Sequence, residues 1–153
     1  MSLPIYPILS VVPQAPPMVL IDEMLEREDG RIVVGVTVRA DALFFQAGRG
    51  VPAHISLEWM AQACAAYAGA EARDNNSPIK IGFLLGTRDF RARRTWLAEG
   101  ERFRIEARLV YHDDEIGNLT CWVGDPAGGP PLVEASLTVF HPHDAAAVIA
   151  AQS

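Results

Sequence analysis

Cysteine is scarce: Cys64 and Cys121 are the only two in 153 residues. Both fall in apolar segments, so they read as buried free thiols in a reducing compartment rather than as a disulfide framework. Positive charge is short too, with 13 Lys and Arg against 19 Asp and Glu and a net charge of −6. That balance argues against a general nucleic-acid binder. The opening MSLPIYPILSVV has no basic region, is broken by Pro4 and Pro7, and does not read as a signal peptide. Internal repeats and low-complexity linkers are absent. No stretch reads as a membrane span, because the one long apolar segment, 52–73, carries His54, Glu58, Gln62 and Arg73. What remains is the composition of an ordinary globular chain, 50% hydrophobic and 21% charged. A cytoplasmic protein of one domain, 1–153, is expected, with an irregular arm at 1–17 and a tail at 141–153. That length buries roughly 70% of the chain surface without staples.

Segment 52–73, PAHISLEWMAQACAAYAGAEAR, organises the rest. As a helix it would be roughly 33 Å long. It is apolar or small nearly all round, which marks a helix buried in a core. Its alanines and Gly69 allow a sheet to approach closely. Trp59 and Tyr67 read as core. The polar exceptions His54, Glu58 and Gln62 are spaced by four, about 40° apart around a helix axis, and form one stripe. Buried polar groups in such a stripe must find partners.

Around the helix the chain reads as strands. Five prolines in 1–17 leave at most one helical turn, near 8–12. The Asp29-Gly30 turn predicts a hairpin of strands 19–28 and 31–39. Residues 40–51 form a loop with Phe44, Phe45, Gly48 and Gly50, and Pro52 suits the first helical position. The breaker DNNSP ends the helix. Strands at 79–94, 101–112, 116–124 and 132–140 follow, the second and last alternating with period two. A short helix starting at Asp144 is expected in the tail. Six antiparallel strands around one helix leave one side of that helix bare, so a second copy is expected to pack there.

This order, two strands, a long buried helix and four strands, resembles the hotdog fold, an α+β class. Several segments resemble the β-hydroxyacyl-acyl-carrier-protein dehydratases: VPQAPPMVLID at 12–22, Phe44-Phe45, LEWMAQA at 57–63 and GFLLGTRDFRARR at 82–94. More narrowly, GVPAH-x-x-LE-x-MAQA followed by GFLLGTR resembles the dehydratase-like proteins of aryl-polyene gene clusters. The resemblance covers roughly residues 8–140. It implies a 3-hydroxyacyl-thioester dehydratase, a hydro-lyase of fatty-acid-like or aryl-polyene biosynthesis. The substrate would ride on the phosphopantetheine of an acyl carrier protein, with no metal or other cofactor. The family's catalytic His has no counterpart in the loop FFQAGRGVPAH, where Ala47, Gly48 and Arg49 stand instead. That departure keeps two alternatives open: a non-catalytic acyl-binding subunit of a dehydratase heterocomplex, and a hotdog acyl thioesterase.

Dehydration needs a base for the α-proton, an acid for the leaving hydroxyl and a dipole for the thioester carbonyl. His54 is the candidate base, Glu58 the candidate acid and Gln62 its support. The free N–H groups near Ala53 and Ile55 at the helix start are the candidate dipole. A dyad that spans two subunits is what the resemblance implies. Arg88, Arg91, Arg93 and Arg94 are a basic cluster in an acidic chain, a candidate docking site for an acidic carrier. His112 reads as a solvated turn residue, and His141 with His143 as too few ligands for a metal. The expected partners are a homodimer mate or larger oligomer, the carrier protein, and a second dehydratase-like subunit, with no nucleic acid and no membrane.

Overall fold

A computed structural model describes residues 2–152 of the chain. After a 3-10 turn at Ile8–Ser10, a hairpin forms from β1 (Glu23–Glu28) and β2 (Arg31–Thr37). A two-residue strand β3 (Val51–Pro52) and a 3-10 turn (Ala53–Ile55) lead into helix α1 (Ser56–Asp74). There follow β4 (Phe83–Ala92), β5 (Trp96–Leu97), β6 (Arg102–His112), β7 (Ile116–Gly124), β8 (Val133–Phe140) and a tail helix α2 (Ala145–Gln152). Six strands make one antiparallel sheet in the order β1-β2-β6-β7-β8-β4, and β3 pairs with β5 apart from it.

Period-two alternation supplies the sheet's inner face. Ile32, Val34 and Val36 of β2, Phe103, Ile105 and Ala107 of β6, Leu119, Cys121 and Val123 of β7, and Val133, Ala135, Leu137 and Val139 of β8 all join the core. Helix α1 meets them with Trp59, Met60, Ala63, Cys64, Ala66, Tyr67 and Ala70. The Trp59 and Phe103 rings lie 5.9 Å apart. The expected Cys64 and Cys121 are free and buried, one on the helix and one on the sheet, with sulfurs 3.8 Å apart. The shared hydrogen bond and burial raise the Cys121 thiol well above its ordinary value.

Tertiary contacts moved several expected boundaries. The first strand begins at Glu23 rather than at 19, because the Leu20 amide is taken by a side chain of α1, Gln62. Pro52 does not open the helix. Val51 and Pro52 stay extended against Leu97 and Trp96, and the Ala53 amide donates to the Thr95 carbonyl at 2.8 Å. The long strand shortens to Phe83–Ala92, with a bulge between Arg88 and Arg91 around Asp89 at φ 56°. The tail helix starts where expected, with Asp144 Oδ1 accepting from the Ala147 amide.

The N-terminal arm is bolted across the far end of α1. Gly69 makes this possible: a Cβ there would lie 1.8 Å from the Val11 carbonyl oxygen. Arg27, 1% exposed, donates Nε to the Pro4 carbonyl and Nη2 to Asp74 at 2.7 Å. The Tyr6 ring stacks under Arg27 and Arg73, and its hydroxyl donates to Asp74. The return of the arm over the hairpin is what buries Arg27. The Tyr6 hydrogen bond, then Arg27, holds the Asp74 carboxyl below its ordinary 3.8.

Two outcomes follow for stability. Gly69→Ala forces backbone against backbone, and overpacking of this kind costs about 1–3 kcal/mol, read as a lower Tm. An unchanged Tm would mean that the arm is not seated on the helix. Because its folded pKa is depressed, Asp74 contributes stability above its ordinary value, and that contribution is lost as pH falls from about 3.8 through the lower folded value. Urea titrations across that window should show a smaller acid loss in Asp74→Asn than in the wild type.

Candidate functional site

The half-buried face of helix α1 carries the candidate chemistry. Leu57, Glu58, Ala61, Ala65, Ala68 and Ala72 are each half-buried and recur at three- and four-residue steps along α1. All but one are apolar. Glu58 sits in the first turn of the helix.

Gln62 fixes that carboxyl. Its side chain is fully buried, so each of its polar atoms needs a partner. Oε1 accepts from the Leu20 amide at 2.8 Å, while Nε2 donates to the Met18 carbonyl at 2.8 Å and to Glu58 Oε1 at 3.1 Å. Both amide protons are thereby used. Glu58 Oε2 has no hydrogen-bond partner among the described residues and is left for another group.

The expected stripe is broken at its first member. His54 lies in the 3-10 turn before α1, is exposed, and makes no side-chain hydrogen bond to Glu58 among the described residues. A 3-10 turn winds about 120° per residue against about 100° in an α-helix, so the step expected for the stripe applies only from Ser56 onward. Of the expected dipole donors, Ala53 is a correction, since its amide is spent on Thr95. Ile55 closes the 3-10 turn, and the Ser56 amide after it returns to the carbonyls of Ala53 and His54.

The arginine cluster also divides. Arg94 makes a two-pronged pair with Glu101, at 2.8 and 3.0 Å, and turns its guanidinium to the Phe103 ring. It is not a free docking charge, because the adjacent turn supplies a carboxylate first. Arg88, Arg91 and Arg93 are exposed on and just beyond β4. Sequence reading missed Arg49, whose guanidinium lies 5.3 Å from the centre of the Trp96 ring beside the start of the helix. The β3–β5 pairing that brings them together is too short to leave a periodic signal. His143 is tied to Asp114 at 2.8 Å, His141 is partly buried, and His112 is exposed.

Neither His54 nor Glu58 lines any of the five principal clefts of the single chain. Strand β4 ends the sheet as an edge of ten residues that exposes Leu84, Leu85 and Phe90. Long apolar edges of this sort call for a covering strand. No helix is long and apolar enough to cross a membrane among the described residues.

An antiparallel sheet wrapped round one long helix, with an acid in that helix's first turn, defines a hotdog-fold protein. The fold is shared with the dehydratase heterocomplex ApeI:P of Xenorhabdus doucetiae, at TM-score 0.86 and 24% identity, over 97% of this chain and 99% of that one. It is shared more loosely with a hypothetical thioesterase protein with coenzyme A from Streptococcus pneumoniae TIGR4, at TM-score 0.61 and 12% identity, covering 78% and 84% of the two chains. The E. coli PaaI protein of a phenylacetic acid degradation operon matches at TM-score 0.60 and 10% identity, covering 77% and 81%. Among curated proteins a search finds no similar sequence. The model of the ApeP-like family, described as ApeP dehydratase, matches residues 6–150, and the chain belongs to that family.

Removing the Gln62 amide tests the clamp. Gln62→Leu strips the Leu20 N–H and the Met18 carbonyl of their side-chain partner at a part-buried place, and each lost hydrogen bond is worth about 0.5–1.5 kcal/mol. Chemical denaturation should show a loss of that order. A loss near zero would mean that the arm is held by other contacts.

Proposed function

We propose that Glu58 is the acid of a 3-hydroxyacyl-thioester dehydratase site completed by a second hotdog subunit. The observation that carries this is the placement of Glu58. It is half-buried, held through one oxygen by Gln62, and set on the half-buried stripe of α1. Among the described residues, it lies outside the five clefts noted above. In this reading a second subunit supplies a wall of the pocket around Glu58, and β4 ends the sheet as an open edge. Membership of a dehydratase family supports the reaction class, and the heterocomplex named for the similar Xenorhabdus doucetiae structure supports a second dehydratase-like subunit as the wall.

In the proposed chemistry a base removes the proton α to the thioester carbonyl. Protonated Glu58 gives its proton through Oε2 to the β-hydroxyl, which leaves as water, and the α,β double bond forms. Gln62 keeps the carboxyl from rotating away. His54 stands at the same end of α1, but it faces solvent in the single chain. It serves as the base only if the second subunit or the substrate closes over it. The substrate arrives on the phosphopantetheine of an acidic acyl carrier protein, for which the exposed Arg88, Arg91 and Arg93 are the docking charges. No other cofactor is invoked.

A second reading has a specific observation in its favour. Because His54 and Glu58 are not joined, the chain fits an acyl-binding partner subunit whose catalytic pair lies elsewhere in the complex. Turnover of a 3-hydroxyacyl carrier-protein thioester, followed by mass spectrometry, separates the readings. Glu58→Gln should lower water loss by on the order of a hundredfold or more, with the oligomer intact. Full activity in that variant would sink the proposal in favour of the partner-subunit reading. Activity that persists in His54→Ala assigns the base to the second subunit, and release of free thiol instead of enoyl product points to a thioesterase.

A further inference from the structure

A cleft of about 490 Å³ opens at the other end of α1 from Glu58, between the helix and the β6–β7 and β8 ends of its own sheet. Its volume lies within the roughly 300–1,000 Å³ of small-molecule pockets. Along the helix axis Glu71, on its wall, is about 20 Å beyond Glu58. The floor is apolar, with Leu109, Leu119, Val139 and Ala68. Three basic side chains share one wall: Lys80, His112 and His141. None of the three has a hydrogen-bond or ion-pair partner for its side chain among the described residues. His141 is not there by accident of packing. Gly82 leaves the space for its ring, since a Cβ on Gly82 would lie 2.4 Å from His141 Cε1.

Four carboxylates also line the cleft, Asp29, Glu71, Asp114 and Glu115, the last beside His141, whose amide donates to the Glu115 carbonyl. Asp114 is paired with His143, and Glu115 Oε2 accepts from the His143 amide. Glu71 and Asp29 act on Tyr67, whose hydroxyl accepts from the Gly30 amide and is pushed by burial up to about 12. The charged neighbours of His141 are Lys80 and His112. The wall they form is thus basic, unpaired and contiguous with an apolar floor.

We propose that this cleft binds a small amphipathic carboxylate. Its apolar body lies on the Leu109–Leu119–Val139 floor and its carboxylate faces Lys80, His112 and His141. The proposal is independent of the Glu58 reading. It assigns a ligand site that the single chain already builds, without a second subunit.

Calorimetric titration of the full-length protein with sodium octanoate and with sodium cinnamate tests it. At least one of the two should bind saturably, the alkyl and aryl arms showing which body the floor prefers. Lys80→Ala combined with His112→Ala alters two exposed side chains and should weaken binding about tenfold. Binding should tighten as pH falls from about 7.5 to about 6, because a protonated His141 imidazole adds positive charge while the carboxylate stays ionised. Burial, then Lys80 and His112, hold His141 below its ordinary 6.5, so its share of that gain comes at the acid end. Glu58→Gln should leave the affinity unchanged. Three results would overturn the proposal: no saturable binding of either salt, equal affinity in the double variant, or octanamide binding as tightly as octanoate. Loss of binding in Glu58→Gln would overturn it as well, by placing the ligand at the candidate active site.

Discussion

A buried primary amide has four hydrogen-bonding positions and no water to fill them, and Gln62 is the place where this chain meets that constraint. Its donors and acceptor are spent on three different parts of the molecule: the arm at Met18, the approach to β1 at Leu20, and the carboxyl of Glu58. Leaving any of these unpaired would cost more than a typical hydrogen bond contributes, because the desolvation penalty falls on the group left behind. The arm, the helix and the acid therefore move as one piece. The same requirement explains why β1 starts late and why only one oxygen of Glu58 is free.

The rest of the helix is shaped by proximity rather than by polarity. Alanines on α1 let the inner faces of β2, β6, β7 and β8 close on it, and Gly69 lets the backbone of Val11 touch the helix from another side. A helix packed this closely on two sides cannot also fill its third face with large groups. The stripe from Leu57 to Ala72 is small and half-open for that reason, and it carries the acid. The candidate acid therefore lies on the incompletely buried face. The outer face of the sheet has a different solution: Glu26, Arg31, Arg104, Glu106 and Arg108 form a lattice of ion pairs across β1, β2 and β6. Exposed pairs of this sort contribute little to stability individually.

Much of this was legible in the sequence because its signals are local. Phe103, Ile105 and Ala107 alternate with polar neighbours and became an inner face as read. The Asp29-Gly30 turn placed its hairpin, and the all-round apolar 52–73 became a buried helix. Glu58 and Gln62, one turn apart on one helix, were found together. What failed depended on contacts distant in the chain. Pro52 read as a helix start until Trp96, 44 residues later, held it extended. Ala53 read as a free donor until Thr95 took its amide. Arg94 read as a docking charge until Glu101 claimed it.

The sequence by itself determined the elements and their faces, because a period of two or of 3.6 is written in neighbouring residues. It also determined the family, through the LEWMAQA helix and the GFLLGTR strand. The tertiary structure alone decided which polar groups remain available. It withdrew Arg94 and the Ala53 amide and set His54, exposed, in a 3-10 turn before the helix. It also gathered Lys80, His112 and His141, which no motif connects, on one cleft. The physical reason is that a polar atom's chemistry depends on its partners, and partners are set by the path of the whole chain.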